Sequence, residues 1–447
     1  MAVIGGGWAG LAAAVEACQR GHQVSLFEMA PHLGGRARSL PVQPDGGLAL
    51  DNGQHILIGA YTQSLQLMAV LGVDPEQALL RLPLRLRYPR REGLRLRPGW
   101  PLLSFARGVL QQGGWLLSAR LKLLSTAGRW LLQRFNCAPE LSVAQLCAGL
   151  PPPVMQDLIA PLCVAALNTP ASQASAQVFL RVLRDALFSG RGSSDLLLPR
   201  LGLSDLLAEP ARLWLAQRGA DLQLGQRVQS LMRQEAQWRV DGQPFDAVIL
   251  ACPSGEAARL SRDINPAWAA RAQALCFEPI ITVYLHCPGA ALPAPMLTLQ
   301  DGAQAPAQFA FDLGQLDEPG SVVTSNTPNA PNTSHAPNSQ KPAGQRAGLF
   351  AFVVSGAAPW VARGLTETGA AVLAQARREL DWPVPPTLFK VLAEKRATFA
   401  CTPGLQRPPA HIAEGLWAAG DYVAGPYPAT LEGAVRSGLA AVRALTR

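Results

Sequence analysis

"MAVIGGGWAGLAAAVEACQRGHQVSLFE" occupies residues 1–28. Its order of residue types predicts strand, turn, helix, strand and a terminal acid. A short apolar strand runs into Gly5-x-Gly7-x-x-Gly10, an alanine-rich helix follows, and a second strand, Val24 to Phe27, ends at Glu28. In such a unit Gly5 permits the tight turn, Gly7 lets the backbone approach a pyrophosphate, and Gly10 lets helix pack closely on strand. Trp8 and Ala9 open the helix, whose unpaired N–H groups and partial positive charge favour phosphates. Glu28, eighteen residues after Gly10, is placed to accept hydrogen bonds from a ribose diol, and it disfavours a 2′-phosphate. The glycine motif in this full context predicts an α/β chain with a Rossmann-like dinucleotide-binding domain.

Two further stretches extend that reading. "APHLGGRARS", residues 30–39, resembles the second glycine pair of FAD-dependent amine oxidases and carotenoid-type desaturases. The resemblance implies that Gly34, Gly35 and Arg36 contact the pyrophosphate and flavin edge of FAD, with Arg38 in support. "GLWAAGDYVAGPYPATLEGAVRSGLAAVRAL", residues 415–445, reads as an apolar strand, Gly420-Asp421, a Gly/Pro turn and a helix from about Ala429. It resembles the closing motif of the same superfamily, which implies Gly420 and Asp421 at the ribityl–phosphate part and Thr430 and Leu431 at the isoalloxazine. Between these ends, a strand-like stretch closes on Val248 to Ala251, and the resemblance to the superfamily implies that Val228 meets the adenine half through its backbone. The expected FAD-binding domain is therefore discontinuous, built from 1–75, 200–255 and 410–447. A second GxGxxG is absent, so no nicotinamide module is expected and the electron donor is unidentified.

Bulk numbers narrow the class. The 447 residues are 49% hydrophobic and 16% charged, enough for a sizeable core. The net charge is +8, but residues 81–135 hold twelve Lys or Arg against one acid, so the excess belongs to one segment. Eight cysteines include no CxxC pair, which predicts buried thiols and no metal site. The first residues already read as a strand, so no secretory signal is expected. No apolar run reaches the length of a bilayer span. The expectation is a cytoplasmic protein, peripheral at the inner face of the membrane.

The remaining segments, 76–199 and 256–409, read as a mixed-sheet and helical substrate domain. "ITVYLHC" (281–287) and "GLFAFVVSG" (348–356) predict sheet strands. Residues 318–348 are rich in Asn, Ser, Thr and Pro and are expected to form a disordered insert. "ALDNGQHILIGAY" (49–61) sets Asp51, Asn52, Gln54 and His55 in an apolar setting. Two readings stand: a place at the flavin or substrate, or a hydrogen-bonded turn in which Asp51 caps a helix.

"LDNGQHILIGAY", "LRYP", "PLCVAALNTPASQASAQVFLRVLRDALF", "LLLPRLGLSDLL" and "PATLEGAVRSG" together resemble the bacterial hydroxysqualene dehydroxylases, a branch of the phytoene-desaturase-like flavoproteins. The resemblance covers the chain outside the 318–348 insert. It implies reductive removal of an allylic hydroxyl from a lipophilic isoprenoid; Asp51 and His55 are the candidate acid and positioner for that step. An oxidative carotenoid-type desaturase or amine oxidase, and a non-enzymatic prenyl-lipid binding protein, remain open as alternatives.

"RLPLRLRYPRREGLRLRPGW", residues 81–100, alternates at period two around a turn. It predicts a hairpin with Leu84, Leu86, Leu94 and Leu96 on one face and Arg85, Arg87, Arg95 and Arg97 on the other. Beyond it, Trp115, Trp130, leucines and five basic residues without an acid match an interfacial helix. An anionic membrane surface is the expected partner. Nucleic acid is not, because the site motifs point to a flavin.

Overall fold

A computed structural model describes residues 1–41, 48, 50–317 and 346–445. Most of the segment expected to be a disordered insert lies outside these residues. Its last three residues, 346–348, do not fit that expectation. Arg346 is buried, pairs with Asp317 and donates to the Arg200 carbonyl at 3.1 Å.

The central sheet has six strands in the order His411–Ala413, Leu416–Ala418, Val248–Leu250, Ala2–Ile4, Ser25–Glu28 and Asp221–Leu224. Only the pair at the C-terminal edge is antiparallel. Ala2–Ile4 and Val248–Leu250 are wholly buried, as parallel strands covered on both faces must be, and so they read as unbroken apolar runs. Three distant parts of the chain thus meet edge to edge. The helix Trp8–Gln19 lies on this sheet and crosses the helix Leu431–Leu445 backbone to backbone. Gly438 permits the crossing, since a Cβ there would sit 2.1 Å from the Ala9 carbonyl oxygen. Arg443 on the last helix and Arg20 both bind the Glu16 carboxylate, at 2.9 and 2.8 Å.

A five-stranded antiparallel sheet forms the second layer: Met296–Thr298, Phe309–Asp312, Leu349–Val354, Phe277–His286 and Thr387–Phe399. The two stretches read from sequence as strands pair directly, from Ile281 opposite Val354 to His286 opposite Leu349. Along Thr387–Phe399 alternate residues Leu392, Glu394, Arg396 and Thr398 face one cleft, as the two-residue side-chain period requires.

The arginine-rich segment forms the hairpin Arg85–Tyr88 and Arg91–Arg95. Leu86, Leu94 and Leu96 are buried and rest on the helix Pro101–Leu110 at Gly108, whose Cβ would come within 3.3 Å of both Leu94 and Leu96. The expected row of four solvent-facing arginines is only half right. Arg85 and Arg87 are partly covered, both held by Glu92, and Arg87 also donates to the Pro293 carbonyl. Arg95 and Arg97 are exposed.

Helices Pro101–Leu110, Leu117–Leu132, Ala160–Leu167 and Ala176–Phe188 make a helical layer. A π-helical stretch, Met155–Ile159, leads into the third of these. Pro161 has no N–H to give the Asp157 carbonyl four residues earlier. The Tyr88 hydroxyl donates to that carbonyl instead, at 3.2 Å. The Asp157 carboxylate takes Arg91 at 2.7 Å and the Trp115 indole N–H at 3.1 Å. One residue therefore ties hairpin, helices and π-turn together. The outward face is apolar: Leu103 is 69% exposed, Leu116 78% and Leu132 86%.

Candidate active site

A cleft of about 660 Å³ opens where the first strand ends, at the crevice that open α/β sheets use for ligands. Gly5, Gly7, Trp8 and Ala9 line it. Gly10 lies behind them, and a Cβ there would stand 1.8 Å from the Gly5 carbonyl oxygen, so only glycine lets the helix seat on the turn. Gly7 precedes the helix without a side-chain cap, which leaves the first-turn N–H groups for a ligand. Glu28 also faces the cleft. Its two oxygens accept from the Gly6 N–H at 2.7 Å and the Ala30 N–H at 2.8 Å, and each keeps lone-pair capacity for a ribose. Val228 lines the same end, with its carbonyl held by Arg259 at 2.6 Å.

Gly34 joins the turn through its N–H to the Gly6 carbonyl at 2.8 Å, and Gly35 lies against Gly7. Arg36 and Asp421, read from sequence as two separate contacts, meet each other. One guanidinium nitrogen of Arg36 lies 2.7 Å from each Asp421 carboxylate oxygen, and another donates to the Ala397 carbonyl at 2.5 Å. Gly420 is tied to Ser437 through its N–H, at 3.0 Å. Thr430 caps the C-terminal helix by accepting from the Gly433 N–H at 3.1 Å, and Leu431 begins it beside the cleft.

The DNGQH stretch divides. Asp51 is not among the residues lining the cleft. Its carboxylate accepts from Ser39 Oγ at 2.7 Å and the Leu203 N–H at 3.0 Å, and its carbonyl accepts from the Tyr284 hydroxyl at 2.9 Å. The expectation of an acid at Asp51 meets a residue outside the cleft lining, whose Oδ1 joins the segments at Ser39 and Leu203. Asn52 likewise donates to the Arg36 carbonyl at 2.9 Å and to Glu394 at 3.2 Å. His55 does face the cleft, with Nδ1 3.3 Å from the Gly53 carbonyl oxygen. Burial holds its pKa below the ordinary 6.5, so the ring is neutral at pH 7.

Further cleft residues add to these, among them Tyr61, Cys252 and Tyr422, which were not singled out from the sequence. The Tyr422 hydroxyl and Arg38 Nε are buried and have no hydrogen-bond partner among the described residues. Burial, followed by nearby Cys252 and Asp421, pushes the Tyr422 phenol well above its usual pKa. Burial raises the Tyr61 phenol too, so both remain protonated. Cys252, beside them, is pushed up to about 12, chiefly by burial, and is not a thiolate. Asn168 ends a helix in the left-handed conformation, with φ 48°. Its amide bridges Thr398 at 2.9 Å and the Gly356 N–H at 2.7 Å, fastening the helical layer to the cleft. Asn168 supplies the N of the LNTP stretch.

The model of the flavin-containing amine oxidoreductases matches residues 8–446. The chain belongs to this family. Its cofactor is FAD, and Glu28 and Val228 at the far end of the cleft have the groups that would suit its adenosine half. The open Gly7 approach, the uncapped helix start and the unpartnered polar atoms of Tyr422 and Arg38 all suit it. Within the family, the chain is 30% identical to the hydroxysqualene dehydroxylase of Rhodopseudomonas palustris over 98% of its own length and 96% of that protein. It is 26% identical to the enzyme of the same name from Sinorhizobium fredii, over 98% and 95%. A crystal structure of an oxidoreductase from Methanosarcina mazei shares the fold of this flavoprotein at TM-score 0.72 and 16% identity, covering 99% of both chains.

Proposed function

We propose that the protein is an FAD-dependent dehydroxylase that converts hydroxysqualene to squalene. The near-full-length similarity to the Rhodopseudomonas palustris enzyme carries this reading. When bound in its reduced form, the flavin supplies a hydride equivalent. Breaking the allylic C–O bond releases the hydroxyl as water with one proton, and the hydride equivalent would balance the charge left on the carbon. Val164, Ala165, Ile280 and Leu392 line the cleft with hydrocarbon, which keeps water from the developing cation. His55 delivers the proton in its cationic form, and its lowered pKa makes that form scarce above neutrality. The Tyr61 hydroxyl, protonated throughout, orients the leaving oxygen. Anaerobic reduction followed by hydroxysqualene should restore the oxidised-flavin absorbance with one squalene formed per flavin. A flavin that stays reduced would sink the substrate assignment and favour an oxidative desaturase.

The substrate dissolves in lipid, and the protein docks on an anionic bilayer to reach it. Leu103, Leu116 and Leu132 are the inserting residues, and Arg95, Arg97, Arg107 and Arg129 in the same segment of the chain are exposed. Each such cation adds up to about 1 kcal/mol near an anionic leaflet. Reversing Arg95, Arg97 and Arg107 to Glu should abolish co-sedimentation with phosphatidylglycerol vesicles. Undiminished co-sedimentation would exclude the arginines as the docking charge.

A further inference from the structure

Among the helices Pro101–Leu110, Leu117–Leu132 and Ala176–Phe188 lies a second cavity, of about 180 Å³, that shares no lining residue with the cofactor cleft. Phe105, Leu123, Trp130, Leu158, Leu162 and Leu183 form its walls, and among the described residues that line it none carries a hydroxyl, carboxamide or charged side chain. Leu102, Leu131 and Phe188 belong to both the cavity and the exposed surface, so it communicates with solvent through an apolar mouth. An apolar cavity of roughly 150 Å³ stays dry and accepts a small hydrocarbon. This one is large enough for the end of an alkyl chain.

Charge around the mouth selects the owner of that chain. Between residues 93 and 139 there are seven Lys or Arg and no acid. Arg107, Lys122, Arg129 and Arg134 on this stretch are exposed. The facing helix adds Asp185, but Arg181 holds it at 3.1 Å. A neutral hydrocarbon gains nothing from these cations, whereas an anionic head group does.

We propose that this cavity binds one hydrocarbon chain of an anionic membrane lipid, with its head group against the arginines of the 101–110 and 117–132 helices. The inference rests on the bilayer docking argued above and gives it a specific receptor. It also reaches the cleft. The helix Ala160–Leu167 places Leu162 in the lipid cavity and Val164, Ala165 and Ala166 in the cofactor cleft. A filled lipid cavity therefore braces one wall of the active site.

The test uses the full-length FAD-loaded protein with phosphatidylglycerol vesicles carrying a diazirine midway along one acyl chain. After irradiation, peptide mass spectrometry maps the adducts. Adducts at Leu158, Leu162 and Leu183 are expected. Ala127→Leu, which puts a larger side chain into the cavity, should lose them while keeping adducts at Leu103 and Leu116. Adducts confined to Leu103, Leu116 and Leu132 on vesicle-bound protein would overturn the cavity assignment and leave docking intact. Failure to co-sediment at all, with no adducts, would overturn the docking reading and this inference with it. Equal deep labelling from phosphatidylcholine would overturn the head-group assignment.

Discussion

His55 and Asp51 stand four residues apart and do different jobs. Asp51 accepts from Ser39 and Leu203, while His55 faces the cleft with a lowered pKa. If the His55 cation gives the proton, single-turnover squalene formation should quicken as pH falls from 8 and level off below His55's pKa, itself under 6.5. His55→Ala should flatten that limb without loss of bound FAD. A pH profile unchanged in the variant would assign the proton elsewhere. Tyr422 offers a separate test. It lines the cofactor cleft, and its buried hydroxyl has no partner among the described residues; a hydrogen bond from it to FAD would be worth about 1 kcal/mol. Tyr422→Phe should weaken FAD binding roughly fivefold to tenfold in a fluorescence titration of the apoprotein. Equal affinity would remove it from the cofactor's partners. The Gly5–Gly10 turn and the strand ending at Glu28 were legible because one local strand–turn–helix–strand unit fixes their places. Asp51 and Tyr422 were not, because Asp51's partner Leu203 is 152 positions away and a lone tyrosine carries no pattern.

At the scale of elements, alternation did most of the predicting. The hairpin leucines fold as their two-residue period indicates, while the apolar runs around 281–287 and 348–356 pair as strands buried on both faces. The π-helical turn before Pro161 had no such period. It becomes intelligible only beside Tyr88, which serves the carbonyl that proline leaves without a donor. Tyr88→Phe removes that hydrogen bond and should cost about 1 kcal/mol, seen as a lower thermal midpoint with little change in FAD content. An unchanged midpoint would mean that water replaces the hydroxyl. The arginines also show where periodicity stops. Strand alternation assigns a side, but the capture of Arg85 and Arg87 by Glu92 depends on how the hairpin closes.

For the molecule as a whole, the joint between first and last helices matters most. Burial raises the Glu16 pKa, but Arg443 and Arg20 outweigh it and bring the folded value below 4.5. Glu16 therefore stabilises the fold above that pH, and the contribution fades as pH falls through the folded value. Both arginines are about half exposed, so screening limits the effect to roughly 1 kcal/mol. Glu16→Gln should lower stability by that amount at pH 7 in urea melts, and the gap should close toward pH 3. A gap that persists in acid would point to packing instead. The glycine motifs at both chain ends made a shared cofactor fold legible. That these ends touch through Gly438 and Ala9 was not, since the close approach involves backbones 429 positions apart.

That crossing has a consequence for synthesis. The strand Ala2–Ile4 is among the first parts made, yet its neighbour Val248–Leu250 and the helix that closes over Ala9 come much later. At about 5–20 residues per second, a ribosome needs roughly 20–90 s to reach the closing helix. Through that interval the glycine turn is made but not yet enclosed. Premature termination before residue 431 removes the whole helix Leu431–Leu445 and leaves an incomplete cofactor cradle. Such fragments present apolar sheet edges to chaperones and proteases, which makes loading of the coenzyme a late checkpoint on the integrity of the message.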